Sequence, residues 1–171
     1  FRVSNFCQRQ LRYMKTTESV TFVVSRLGCG DIASFRELNL IFSEVFEDTA
    51  NYQSRPPSDN YLNGLLAKQH IIALVARVDG RIEGGLVAYV LDKFEQERSE
   101  VYIYDLAVRE KFRRRGIARN LIFELRKIAH EAGAWVIYVQ ADKAEEDLPA
   151  QKLYESLGKR EDVFHYDIAV N

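Results

Sequence analysis

Apolar positions along the chain change period several times, and each change marks an element. The β-branched run TFVVSRL at 21–27 predicts a first strand, which Gly28 and Gly30 break. Asp31 stands where it caps the next element. Ile32, Phe35, Leu38, Ile41, Phe42, Val45 and Phe46 recur at three- and four-residue spacing, so a helix with one apolar stripe is expected to end near Glu47 and to pack on a sheet. Arg55-Pro56-Pro57-Ser58 stops regular structure, and Ser58 or Asp59 then caps a short helix, YLNGLLAK.

HIIALVARV and IEGGLVAYVL come next as two antiparallel strands joined at Asp79-Gly80, a dipeptide favoured in tight hairpins. The charged connection DKFEQERSE leads to a strand VYIYDLAV, the basic segment REKFRRRGIA opens a helix RNLIFELRKIAHEAG, and WVIYVQ is a further strand. Residues 148–157 read as a helix that Gly158 ends, and DVFHYDIAV as a last strand. The order β-α-α-β-β-β-α-β-α-β predicts a mixed α/β (α+β) sheet flanked by helices, in one domain over 21–171. Residues 1–20 mix aromatics and arginines without either period and are expected to form an irregular extension.

At 171 residues with 47% hydrophobic content, the chain is long enough for a full core. A formal net charge of −1 argues against a nucleic-acid binder that relies on overall basicity, so any charge signal must be local. Cys7 and Cys29 have no redox or zinc spacing and read as bystanders. His70, His130 and His165 have no metal-like spacing either; no metal is expected, and His165 is read as a plain strand histidine. No apolar run approaches the roughly 18 residues that span a bilayer. Residues 1–18 lack the apolar centre of a signal peptide, so a cytoplasmic location is expected, with no membrane partner.

The local signal lies just after Val108. Residues 109–119 hold six Arg or Lys against one Glu, and Arg113-x-x-Gly116-x-Ala118 opens a helix there. Gly116 removes the Cβ that would hold backbone amides away from a pyrophosphate, Ala118 keeps the first turn narrow, and unpaired N–H groups at a helix start attract anions. Arg113, Arg114, Arg115, Gly116, Ile117 and Ala118 are therefore the candidate cradle for a polyanionic ligand. The alternative is a glycine that only shapes a tight loop beside a solvated basic face.

The segment YDLAVREKFRRRGIARNLIFELRK resembles motif A of the GNAT superfamily of acyl-CoA N-acyltransferases, and LYESLG resembles its second signature. The resemblance implies a mostly antiparallel sheet splayed between two parallel strands, with about four helices and acetyl-CoA as co-substrate. It implies that the pantetheine arm lies in the splay against Leu106, Ala107 and Val108, with the Val108 N–H facing the thioester oxygen. It also puts Tyr154 at the position of the tyrosine that protonates the departing thiolate.

Asp105 interrupts an apolar and aromatic strand, where a carboxylate is costly unless something requires it. It is either a structural carboxylate bonded to backbone amides or the base and anchor for an amine, with Tyr104 beside it to help place substrate. Asp92, Glu95, Glu97 and Glu100 cluster before this strand, and Asp142, Glu145, Glu146 and Asp147 after the next. Solvated loop charge is the default reading of such runs, but both clusters are expected at one end of the sheet, where they suit a cationic substrate.

FEDTANYQSRPPSDNYLNGLL, KFEQERSEVYIYDLAV, VIYVQAD and LYESLGKREDVFHYDI further resemble the type I aminoglycoside 3-N-acetyltransferases. That implies acetylation of the 3-amino group of a gentamicin-like 2-deoxystreptamine antibiotic, conferring resistance, with Asp105 as the catalytic carboxylate. The stretch KAEEDLPAQK departs from the family's usual loop. Acetylation of another polyamine or of a protein amine, and a non-catalytic acetyl-CoA-binding module, remain alternatives. Whether subunits pair is left open.

Overall fold

The computed structural model describes residues 20–170. Five strands form one sheet in the order β1 (Val23–Arg26), β2 (Ile71–Val78), β3 (Arg81–Asp92), β4 (Ser99–Val108), β5 (Ala134–Val139). The first four are antiparallel neighbours, and β5 runs parallel to β4. A parallel neighbour demands a crossover, which α4 (Ile117–Glu131) supplies. The β2–β3 hairpin turns at Asp79 and Gly80, both with positive φ (49° and 80°), the conformation of a type I′ turn.

Helix α1 (Ile32–Val45) covers one face of the sheet, burying Leu38, Ile41 and Phe42 against Val75, Ile82 and Val87. Helix α4 covers the other with Leu121 and Leu125 against Ile72, Leu86 and Ile103. Contact on the α1 side is close because Gly85 lacks a side chain: a Cβ there would lie 2.4 Å from the Leu74 carbonyl oxygen and 2.6 Å from Leu38 Cδ1. Two short helices, α2 (Thr49–Tyr52) and α3 (Asp59–Leu66), come after α1, and α5 (Leu148–Glu155) comes after β5. Helix α3 starts where expected, with Ser58 Oγ accepting from the Tyr61 N–H. Among the described residues no helix is long and apolar enough to cross a membrane.

Three expectations need correction. The last strand does not form: 162–170 makes no ladder, and Val163, Phe164, Tyr166, Ile168 and Val170 are exposed. Alternating β-prone residues become a strand only by pairing with an edge, and 162–170 pairs with none among the described residues, the outer edge of β5 included. Helix α2 adds an element that periodicity does not predict; it is held by Asp48, whose carboxylate accepts from the Asn51 N–H at 3.0 Å. Finally, the acidic stretches 92–100 and 142–147 do not open at one end of the sheet. Because β5 runs parallel to β4, the connection into β4 lies at one end and the segment leaving β5 points to the other.

Candidate active site

Strand β4 has one extra residue at its centre. Val87 pairs with Asp105 but Ala88 pairs with Ile103, so Tyr104 bulges out of the ladder with β3. On its other side β4 pairs with β5 only as far as Ile103–Val139. Bulge and strand separation thus fall on the same residue, and beyond it Tyr104 to Val108 have no β5 neighbour.

The bulge changes which way side chains face. Val101 and Ile103 pack in the α4-side core, and Tyr102 faces the α1 side. Strict alternation would return Asp105 to the α4 side. With one residue inserted, Asp105 turns instead toward α2, where its Oδ2 accepts a 2.9 Å hydrogen bond from the Tyr52 hydroxyl. Burial pushes the Asp105 carboxyl above the usual carboxylate range, and the Tyr52 bond partly opposes that. Burial, and then the negative charge and hydrogen bonding of Asp105, drive the Tyr52 phenol upward, so it stays protonated as a donor. A carboxyl held this way takes up a proton more readily than a solvated one.

Around it stands a wall of tyrosines. Tyr104, 61% exposed, meets Tyr89 and Tyr102 edge-on at 5.7 and 5.9 Å, and Tyr102 stacks on Tyr138 at 5.0 Å. The Tyr102 hydroxyl donates to Gln140 Oε1 at 3.0 Å, and Gln140 Nε2 lies 2.7 Å from His165 Nδ1. His165 also reaches Asp167 at 3.0 Å; it lies off any strand, contrary to the sequence reading.

The basic turn lies just beyond β4. Arg114 (φ 62°) and Gly116 (φ 86°) both adopt left-handed backbone, which bends the chain sharply from β4 into the start of α4. Gly116 caps α4, no side chain accepts from its first turn, and Ile117 is buried beneath it. Ala118 is half-buried and packs against the α4-side core. The Arg113 and Arg114 side chains are exposed, Arg113 Nε bonds the Val108 carbonyl at 3.0 Å, and Arg115 lies over the Phe112 ring at 5.9 Å. Arg109 is not free: it pairs with Glu44 at 2.9 Å and with buried Glu83 at 3.2 Å. Of Leu106, Ala107 and Val108, the last two are buried, and Arg119 ties the start of α4 to Ser156 at 2.8 Å.

On α5, Tyr154 packs against the α4-side core, and burial, with Asp147 nearby, pushes its phenol up to about 12. Tyr154 and Asp105 therefore belong to opposite faces of the sheet on which β4 parts from β5. Asp142, Glu145 and Glu146 are exposed and make no ion pair among the described residues. Glu100 is engaged: Lys93 sits at 3.3 Å and the Trp135 indole N–H donates to it at 3.2 Å, near the start of β4. Sequence reasoning missed Tyr52, which lies 53 positions before its partner; its one signal is an aromatic ring stranded among polar residues before the Pro56-Pro57 stop.

A model of the acetyltransferase (GNAT) family matches residues 35–159. No curated protein matches the chain. Among solved structures, an aminoglycoside acetyltransferase from an uncultured soil metagenomic sample is 48% identical, with 88% of this chain and 99% of that one covered at a TM-score of 0.87. A second metagenomic aminoglycoside acetyltransferase, solved in complex with sisomicin, is 32% identical over 88% and 97% of the two chains, with a TM-score of 0.80. A ribosomal-protein-alanine N-acetyltransferase from Brucella melitensis biovar Abortus 2308 is 26% identical over 88% and 100%, with a TM-score of 0.68. The splayed β4–β5 pair, the basic turn that opens α4 and a family match spanning most of the chain agree: this protein belongs to the acetyltransferase (GNAT) family and is an acetyl-transferring enzyme.

Proposed function

We propose that this enzyme acetylates the 3-amino group of 2-deoxystreptamine aminoglycosides of the gentamicin kind, by direct attack of the amine within a ternary complex, and so confers antibiotic resistance. The observation that carries the reading is the Asp105 carboxyl, half-buried where β4 leaves β5 and bonded on one oxygen only by Tyr52. Its other oxygen is left to receive the amine proton. The metagenomic aminoglycoside acetyltransferases support the acceptor class. Asp142, Glu145 and Glu146, free of cationic partners among the described residues, suit a polycationic acceptor, with Tyr104 as a wall for its rings. Glu100, engaged by Lys93 and Trp135 near the start of β4, lies at the other end of the strand and drops out of the proposed substrate set.

The donor set fits acetyl-CoA, whose family-wide use supplies an activated acetyl thioester. The N–H groups at Arg114 to Ala118, with the exposed Arg113 and Arg114 side chains, would hold its phosphates. Leu106, Ala107 and Val108, lacking a β5 partner, would line its arm. Tyr154 would supply a hydrogen bond to the departing sulfur. A phenol near 12 is a weaker acid than a thiol of about 8.5, so its work is to stabilise developing charge while keeping its own proton until late.

One domain over 21–171 and pairing of two subunits belong to the same proposal. Among the described residues the outer edge of β5 has no strand beside it, and the exposed apolar residues of 162–170 come later in the chain, after α5. The test is direct: purified enzyme with acetyl-CoA and gentamicin or sisomicin should release CoA, with the acetyl group found on the 3-nitrogen by NMR. Absence of product with every deoxystreptamine compound would end the acceptor claim; product with spermidine or an N-terminal alanine peptide instead would transfer it to another amine class.

A further inference from the structure

We infer that Tyr52 is the positioning residue of this active site: its hydroxyl fixes one oxygen of Asp105 and so sets both the direction in which the other oxygen faces and the pH at which the carboxyl becomes a base. The inference rests on the reading of Asp105 as acceptor of the amine proton.

Geometry supports it from three sides. The Tyr52 ring is wedged against Phe42 (5.9 Å) and Phe46 (6.1 Å), both on or beside α1, so the phenol has little freedom to turn. Its backbone is set by α2, which Asp48 caps through Asn51. The hydroxyl then reaches Asp105 across the chain at 2.9 Å, and no other side-chain donor or cation bonds that carboxyl among the described residues. The titratable groups that face Asp105 are tyrosines: Tyr52 from α2, Tyr89 from β3, and Tyr102 on β4 with Tyr104 beside them; Asp48 stands behind Tyr52. With no cation bonded to it among those residues, the Tyr52 O–H is the group that favours the ionised form against burial.

Replacing Tyr52 by Phe keeps the ring and removes the donor. In protein carrying 13C-carboxyl aspartate, with the Asp105 signal identified by its loss in Asp105→Asn, the Tyr52→Phe change should raise the Asp105 titration midpoint by about one pH unit, as expected for loss of a hydrogen bond to a charged group. The acid limb of kcat/KM should move up with it, while KM for acetyl-CoA stays put and the rate at high pH recovers to within about threefold of the parent. An unmoved midpoint, or a rate depressed equally at every pH, overturns the inference. A midpoint that moves without the acid limb upholds Tyr52 as the group that sets Asp105 and removes Asp105 from proton transfer. Should the phenylalanine variant not fold, Tyr52→Leu removes the donor with a smaller apolar side chain and should raise the same midpoint.

Discussion

Asp105 carries opposite consequences for stability and for turnover. Its carboxyl titrates above the ordinary range because it is partly buried, so the folded chain keeps that proton to a higher pH than the unfolded chain does. Stability from this source is full below the ordinary carboxylate range and is lost as pH rises through the folded value. Asp105→Asn removes the titration while its amide oxygen still accepts from Tyr52. Thermal melts should therefore show the variant more stable than the parent at pH 8, the gap closing toward pH 4, while turnover falls by about a hundredfold or more, as for loss of a positioned base. Equal melting at both pH values, or near-parental turnover, would refute the role. Tyr154→Phe should cost turnover about ten- to a thousandfold, the range for one hydrogen-bond donor to developing charge, without changing the affinity for CoA read by calorimetry. Of the candidate site, Asp105, Tyr104 and Tyr154 can be singled out from the sequence because a charge in an apolar strand and a tyrosine in a family signature are local features. Tyr52, Tyr89 and Tyr138 cannot, since only the folded sheet brings them to the same wall.

At the scale of elements, the strands and long helices followed their periodicity: β2, β3, β4, α1 and α4 all lie within about two residues of expectation. What periodicity could not show is the bulge, because one extra residue in β4 leaves the local alternation looking continuous. It could not show that 162–170 lacks a partner, for the same reason: a strand is half of a pair. Two glycines mark where elements meet tightly. Gly85→Ala would push a methyl into Leu38 and the Leu74 carbonyl, and denaturant unfolding should report a loss of about 1–3 kcal/mol, the usual cost of overpacking. Gly116→Ala meets open space apart from Asn120 at 3.6 Å, so its cost of about 1–2 kcal/mol comes from the left-handed backbone alone. If Gly116 shapes a phosphate cradle, that variant should also bind CoA more weakly, whereas Gly85→Ala should not.

Across the whole molecule, charge is sorted by sheet end and by partner. Exposed basic residues gather at the start of α4, exposed acids lie beyond β5, and the ion pairs of Lys93, Arg98 and Glu100 gather at the opposite end of β4. Removing 162–170 takes away exposed apolar side chains and few contacts. The melting temperature of dilute protein should shift by only about 1–2 °C, as for surface changes worth up to about 0.5 kcal/mol, while sedimentation should show any self-association weakened. The extra residue at Tyr104 has a broader consequence. It divides β4 into two half-strands that are out of phase; on the proposed reading Tyr102 and Tyr104 in the first would face the acceptor, and Leu106 to Val108 in the second would face the donor. Substitutions in the first half can retune which amine is admitted without disturbing the second, so the acceptor range of such an enzyme is free to drift while its acyl donor stays constant.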